Sequence, residues 1–125
     1  MRNSSMEELC PTHRADFVRC AQLLARRGIH VFETYRSHKD QDEAYRRRTS
    51  KARGGQSPHQ YGMAVDFVPR AGERGWFWPP ASDPLWHQVR LAALSCGLSN
   101  NIEWDRPHVE CACWASYQAA RKRAA

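Results

Sequence analysis

Two histidines and two aspartates stand out by type and spacing. His59 and Asp66 lie in Ser57-Pro58-His59-Gln60-Tyr61-Gly62-Met63-Ala64-Val65-Asp66-Phe67. Asp105 and His108 lie in Glu103-Trp104-Asp105-Arg106-Pro107-His108-Val109-Glu110. Two imidazoles and a carboxylate form a donor set for zinc held by three protein ligands with one position open. His59, Asp66 and His108 are the expected ligands. An open zinc position makes a water acidic, and a carboxylate nearby takes the proton and later hands it to a leaving group. Asp105 precedes His108 across Pro107, a spacing that allows a carboxylate near the metal without ligation.

Each residue also has an ordinary reading. His59 is compatible with a turn and Asp66 with an exposed strand position. Asp105 is compatible with a turn aspartate paired with Arg106.

The elements that would position these groups follow from local pattern. Thr12 reads as the N-cap of a helix that places Phe17, Ala21, Leu24 and Ala25 on one face, and Gly28 ends it. Ile29 to Tyr35 is β-branched and aromatic and reads as a strand, with Arg36 and Ser37 at its exit. Lys39 to Arg48 reads as an exposed helix with Ala44 and Tyr45 inward, and Thr49 to Gln56 as a loop. A strand over Met63 to Val68 puts Ala64 and Asp66 on one face and Met63, Val65 and Phe67 on the core face. Residues 69–81 form a long loop in which Trp76 and Trp78 are candidates for a groove wall. The other tryptophans are expected in the core.

Ser82 reads as the cap of a further helix with Pro84 in its first turn. That helix carries the stripe Leu85, Trp86, Val89, Ala92, Ala93 and Cys96, and Gly97 ends it. Leu98 to Trp104 reads as a turn or short strand, Pro107 to Cys113 as a strand, and Ala115 to Arg123 as a short helix. Residues 1–11 read as a loose lead-in. The order implies an α+β fold: one domain over residues 1–125, core about 12–114, with a small, mostly antiparallel sheet and flanking helices.

The cysteines offer a rival metal cluster. His108, Cys111 and Cys113 are close in sequence, but strand alternation turns both cysteines away from His108. The five cysteines, an odd number, argue against a disulfide framework and are expected mostly reduced and buried.

Composition narrows the class. A chain of 125 residues with 42% hydrophobic and 26% charged residues is neither disordered by composition nor membrane-like. No apolar run reaches the ~18 residues a membrane span needs. The first residues do not read as a secretory signal. A net charge of +6 attracts polyanions, whether nucleic acid, acidic lipid or an acidic cell envelope. The run Arg46-Arg47-Arg48-Thr49-Ser50-Lys51-Ala52-Arg53 reads either as a solvated helix end or as an attractor for such a polymer.

The segment from Ser57 to Asp66 resembles the S-x-H-x-x-G-x-A-x-D signature of the D-Ala-D-Ala carboxypeptidase and L-alanyl-D-glutamate endopeptidase family, which includes VanY-like carboxypeptidases and phage endolysins. Ser57, His59, Gly62, Ala64 and Asp66 fill its fixed positions. Asp105 and His108 match the family's second element, and the aspartate there resembles the endolysin branch. Thr34-Tyr35-Arg36-Ser37 resembles the segment whose arginine contacts substrate. The resemblance spans roughly residues 20–114.

It implies a hedgehog-like peptidase fold and zinc (Zn2+) on His59, Asp66 and His108. It implies Asp105 as base and then acid, and Arg36 steadying charge on the substrate. The implied substrate is the peptidoglycan stem peptide, cut by an L-alanyl-D-glutamate endopeptidase or, alternatively, by a D-Ala-D-Ala carboxypeptidase. Such a protein would be a monomer drawn to the anionic wall by charge, made without a signal peptide and acting after release. Ser57 is expected to hydrogen-bond near the site. Arg36 alone would also fit a surface salt bridge. A non-catalytic basic nucleic-acid-binding module would explain the charge but not the ordered His, Asp, Asp and His. A hedgehog-like zinc binder without turnover would not need Asp105.

Overall fold

The computed structural model describes residues 2–72 and 75–124. Its centre is a four-stranded antiparallel sheet in the order β1-β2-β4-β3. The strands are β1 (Ile29–Glu33), β2 (Ala64–Pro69), β3 (Leu98–Ser99) and β4 (His108–Cys111). The helices are α1 (Pro11–Ala25), α2 (His38–Arg46), α3 (Leu85–Ser95) and α4 (Trp114–Ala124). The α+β class expected from the sequence is the one observed.

One face of the sheet is apolar because alternation makes it so. Val65 and Phe67 of β2 and Val109 of β4 are fully buried, together with Phe17, Cys20 and Leu24 of α1 and Trp86, Val89 and Ala93 of α3. Burial of such side chains contributes about 1.5–3 kcal/mol each. The opposite face carries polar residues of three strands in register. Glu33 pairs with Asp66, and Asp66 pairs with His108. The register of β1 shifts between Val31 and Glu33, a bulge that places Glu33 opposite Asp66.

Several boundaries differ from the sequence reading. Helix α1 starts at Pro11, with Cys10 rather than Thr12 as N-cap, because Pro suits the first helical position. The N-cap of α3 is Pro84, not Ser82, and Asp83 just before it accepts from the Leu85 N–H at 2.9 Å through its Oδ1. On α2 the inward residue is Gln41, fully buried, whereas Tyr45 is exposed. Only Trp86 and Trp114 are buried tryptophans, while Trp78 and Trp104 are exposed.

The lead-in is not loose. Leu9 joins the core, and Met6–Glu8 forms a 3-10 turn. The Thr34 N–H donates to Asn3 O at 2.7 Å, and the Thr34 hydroxyl donates to Ser5 O at 2.7 Å. These partners are far away in sequence, so no local pattern announces them.

This docking explains Gly62. Its φ is 66°, and the Cys10 N–H donates to its carbonyl at 2.9 Å. A Cβ there would lie 2.5 Å from Cys10 N and 2.9 Å from Glu8 O, both backbone atoms. Gly62→Ala is therefore expected to cost about 1–3 kcal/mol for the left-handed conformation, with the collision adding to it. Chemical denaturation would show this, and an unchanged midpoint would contradict the packing described.

A pH effect follows from the core. Burial pushes the Cys20 thiol up from 9.0 to about 12, with the neighbouring Cys96 adding to it. The folded state holds this proton where the unfolded chain loses it, so stability falls as pH rises from about 9 to about 12. Cys20→Ala is expected to flatten that alkaline slope while lowering stability at neutral pH, measured by unfolding at a series of pH values.

Candidate active site

The 3-10 turn Pro58–Tyr61 presents His59 to the polar face of the sheet. Ser57 caps this turn: its Oγ accepts from the His59 N–H at 3.3 Å. Gln60 Oε1 accepts from the Ser57 N–H at 3.0 Å. Ser57 thus shapes the turn, in keeping with the role expected of it.

The two histidines converge on one oxygen of Asp66. His59 Nε2 and His108 Nδ1 each lie 3.3 Å from Asp66 Oδ1. Each imidazole is anchored by its other nitrogen. His59 Nδ1 is 2.6 Å from the Thr34 carbonyl, and His108 Nε2 is 2.8 Å from Glu110 Oε1. A carbonyl and a carboxylate can only accept, so both outer nitrogens carry hydrogen. The inner nitrogens of neutral rings then turn lone pairs toward a carboxylate. With both rings neutral, three acceptors converge.

That arrangement fits a cation. In a tetrahedral zinc site with arms of about 2.0–2.1 Å, neighbouring donor atoms stand about 3.3–3.4 Å apart. Outer hydrogen bonds of this kind fix the tautomer and orientation of ligating histidines. Burial alone would lower the His108 pKa, but its hydrogen bonds to Asp66 and Glu110 raise it to about 10. Burial alone would raise Asp66, yet the two histidines hold it well below the usual carboxylate range.

Asp105 and Arg36 line the same cavity of about 620 Å³ as His59, Asp66 and His108. The His108 N–H donates to Asp105 O at 3.1 Å, closing a turn that sets Asp105 just ahead of the histidine. Buried Asn100 holds this turn, donating to Arg106 O and His108 O at 2.8 Å each. Burial and the nearby Asp66 charge push the Asp105 carboxyl up, against His108, His59 and Arg36. A raised carboxyl pKa makes a better base than an exposed aspartate.

Arg36 is no surface residue. It pairs with Glu33, and its Nη1 donates to Gln41 Oε1 at 2.8 Å. Gln41 in turn donates to Ser50 Oγ at 2.8 Å and Ala52 O at 2.7 Å, and accepts from Gln60 Nε2 at 3.2 Å. Glu33 and Gln41 were not singled out from sequence. Strand alternation could have flagged Glu33, and nothing local marks Gln41. Of the two loop tryptophans, Trp78 enters the cavity wall, while Trp76 packs edge-on against Phe32 at 5.1 Å. Trp104 adds to the wall, with Lys51 4.6 Å above its ring.

No family model matches the chain. It is 35% identical over 105 residues to the peptidoglycan L-alanyl-D-glutamate endopeptidase CwlK of Bacillus subtilis, covering 69% of this chain. The chain thus resembles the VanY-like peptidoglycan peptidases. It spans 63% of the length of CwlK. The crystal structure of the Serratia marcescens L-Ala D-Glu endopeptidase ChiX superposes with a TM-score of 0.58 at 25% identity, covering 93% of each chain. The L,D-carboxypeptidase DacB of Streptococcus pneumoniae shares the fold, with a TM-score of 0.60 at 16% identity over 93% of this chain and 76% of that one.

Glu110 gives a test of the site. If the site takes a metal, Glu110→Ala is expected to lower its affinity about 10- to 100-fold with His59, Asp66 and His108 intact, because His108 loses its outer acceptor. Glu110→Gln should recover part of the loss, since an amide oxygen still accepts. Titration calorimetry on both variants measures this, and equal affinity in Glu110→Ala would exclude the orienting role.

Proposed function

We propose that this protein is a zinc-dependent peptidase of the peptidoglycan stem peptide, acting as an L-alanyl-D-glutamate endopeptidase. The observation that carries the reading is the convergence of His59, Asp66 and His108, with Asp105 on the same cavity wall. His59, Asp66 and His108 would hold the zinc. When bound, zinc supplies an electrophile that acidifies water and polarises a carbonyl.

The remaining work falls to side chains. Asp105 takes a proton from the attacking water and passes it to the departing amine. Arg36, held by Glu33 and Gln41, faces the charge that develops on the carbonyl oxygen. Trp78 and Trp104 flank the peptide and limit water.

The shape of the cavity favours cleavage within a chain over cleavage at its end. A second cleft of about 290 Å³ shares Glu33, Arg36, Ala44 and Thr49 with the main cavity. A third, of about 280 Å³, shares Trp78, Trp104, Asp105 and Pro107. Two further clefts thus adjoin the main cavity, one next to Arg36 and one next to Asp105, which supports room for a chain longer than the scissile unit. A carboxypeptidase needs one side closed around the terminal carboxylate. The net charge of +6 and Lys51 on the cavity wall support attraction to an anionic wall. Arg46 and Arg47 contribute less, since both pair with Glu43. We read the protein as a monomer that reaches the wall after release. No helix among the described residues is long and apolar enough to cross a membrane.

The test compares two conservative variants. Asp105→Asn is expected to keep fold and metal but lose about 100- to 10,000-fold in rate. Asp66→Asn should lose metal as well as activity. Metal content, thermal unfolding and mass analysis of digested peptidoglycan are measured in parallel. New N-termini at D-glutamate would identify the bond. A metal-loaded Asp105→Asn protein with near wild-type cleavage would overturn the mechanism.

A further inference from the structure

A second cluster lies on the far side of β4. Alternation turns Cys111 away from His108, as expected, but it does not leave the cysteines without a histidine. The first turn of α1 brings His13 against both. His13 Nε2 is 3.6 Å from Cys111 Sγ and 3.4 Å from Cys113 Sγ. The two sulfurs are joined as a disulfide, so the expectation that the cysteines are mostly reduced holds only for Cys10, Cys20 and Cys96.

We propose that the reduced form of this corner is a second metal site, in which His13, Cys111 and Cys113 bind zinc or a similar thiophilic divalent ion. Four observations support it. The donor set, one imidazole and two thiolates, is that of structural zinc sites. The imidazole-to-sulfur spacing is right: arms of about 2.3 Å to sulfur and 2.0–2.1 Å to nitrogen put the donors about 3.5 Å apart in a tetrahedron. The Cys113 N–H lies 3.1 Å from Cys111 Sγ, a backbone donor aimed at a sulfur, which favours the thiolate. His13 and Cys113 are only half-buried, so an ion has access. Cys10, the N-cap of α1, packs against the same cluster of Met63, Cys111 and Trp114 and is the candidate for the fourth position.

The two states differ in what they tie together. The disulfide links residues 2 apart in sequence and closes almost no loop. A metal links His13 to cysteines 98 and 100 positions away. Closing a long loop constrains the unfolded chain far more than closing a short one. Metal would therefore fasten the start of α1 to the end of β4, whose other face carries His108. The disulfide cannot do this.

Interconversion is ordinary thiol–disulfide exchange. A dithiol reductant donates two electrons and two protons to the Cys111–Cys113 bond, leaving two thiols and an oxidised reductant. The thiols lose their protons on binding the ion. A disulfide oxidant such as oxidised glutathione reverses the step and departs as two thiols.

The experiment uses full-length protein reduced with a trialkylphosphine, stripped of metal, freed of reductant without air and titrated with cobalt(II). Sulfur-to-cobalt charge transfer in the near ultraviolet reports thiolate ligation, which the His59–Asp66–His108 site cannot give. Reduced wild type is expected to take two equivalents of cobalt and show the band. Cys111→Ser/Cys113→Ser should take one and lack it. His59→Ala should keep the band, so the two sites fail independently. Oxidised glutathione should abolish the band.

Zinc should also protect Cys111 and Cys113 of the reduced wild type from alkylation, read by peptide mass spectrometry, and raise its Tm. This arm needs no variant to fold. Reduced, folded wild type without the band, or with both cysteines alkylated at the same rate with and without zinc, would overturn the proposal. A band that persisted in the double serine variant would overturn it too.

Discussion

The convergence of two imidazoles on one oxygen of Asp66 constrains the rest of this molecule. A carboxylate held 3.3 Å from two ring nitrogens, in a place little exposed to water, is stable only when a positive charge lies among them. The surrounding structure keeps the acceptors from relaxing apart. Asp66 sits on β2, paired with β1 on one side and β4 on the other. The ladder fixes His108 directly opposite. His59 comes from outside the sheet, so it needs its own support: the Ser57–Gln60 capping box, the Thr34 carbonyl and the left-handed Gly62.

A second shell of polar residues answers to the same demand. Glu110 takes the outer hydrogen of His108 and Thr34 that of His59. Glu33 faces Asp66 across the β1 bulge but spends its charge on Arg36. Gln41 then joins Arg36, Gln60 and the loop at Ser50 and Ala52 into one network. Half-buried charges on Asp66, Asp105, Glu33 and Glu110 thus face Arg36, the histidines and any bound cation. Removing one member leaves others unpaired, which is costly in a dry environment.

The chemistry was more legible in the sequence than its support. His59, Asp66, Asp105 and His108 share a spacing that only a strand and a turn could gather, and the strand alternation around Asp66 could be read directly. Helices α1 and α3 were equally legible, because their apolar stripes repeat at helical spacing. What escaped depends on partners distant in the chain. Leu9 and Asn3 carry no periodic signal, and their place is set by β1 and Gly62. Gln41 sits in a polar helix where a buried amide looks like any exposed one. Strand alternation turns Cys111 away from His108 as expected, while Cys113 lies beyond the end of β4, and what the two face lies 98 and 100 residues earlier, at His13.

β4 carries chemistry on both faces, and this links the two clusters. His108 and Glu110 look toward the groove, while Cys111 looks toward α1. With four residues the strand is short, and its pairing with β3 covers two positions. Its position rests on the ladder to β2, on Val109 in the core and on the contacts at its end. Cys111 and His108 are the two ends of this strand, so a shift at one reaches the other through the backbone. Such a shift matters little to packing and much to three donors that must meet at one point. The corner of His13, Cys111 and Cys113 is thus placed where a modest tether has its largest effect on the geometry of the groove.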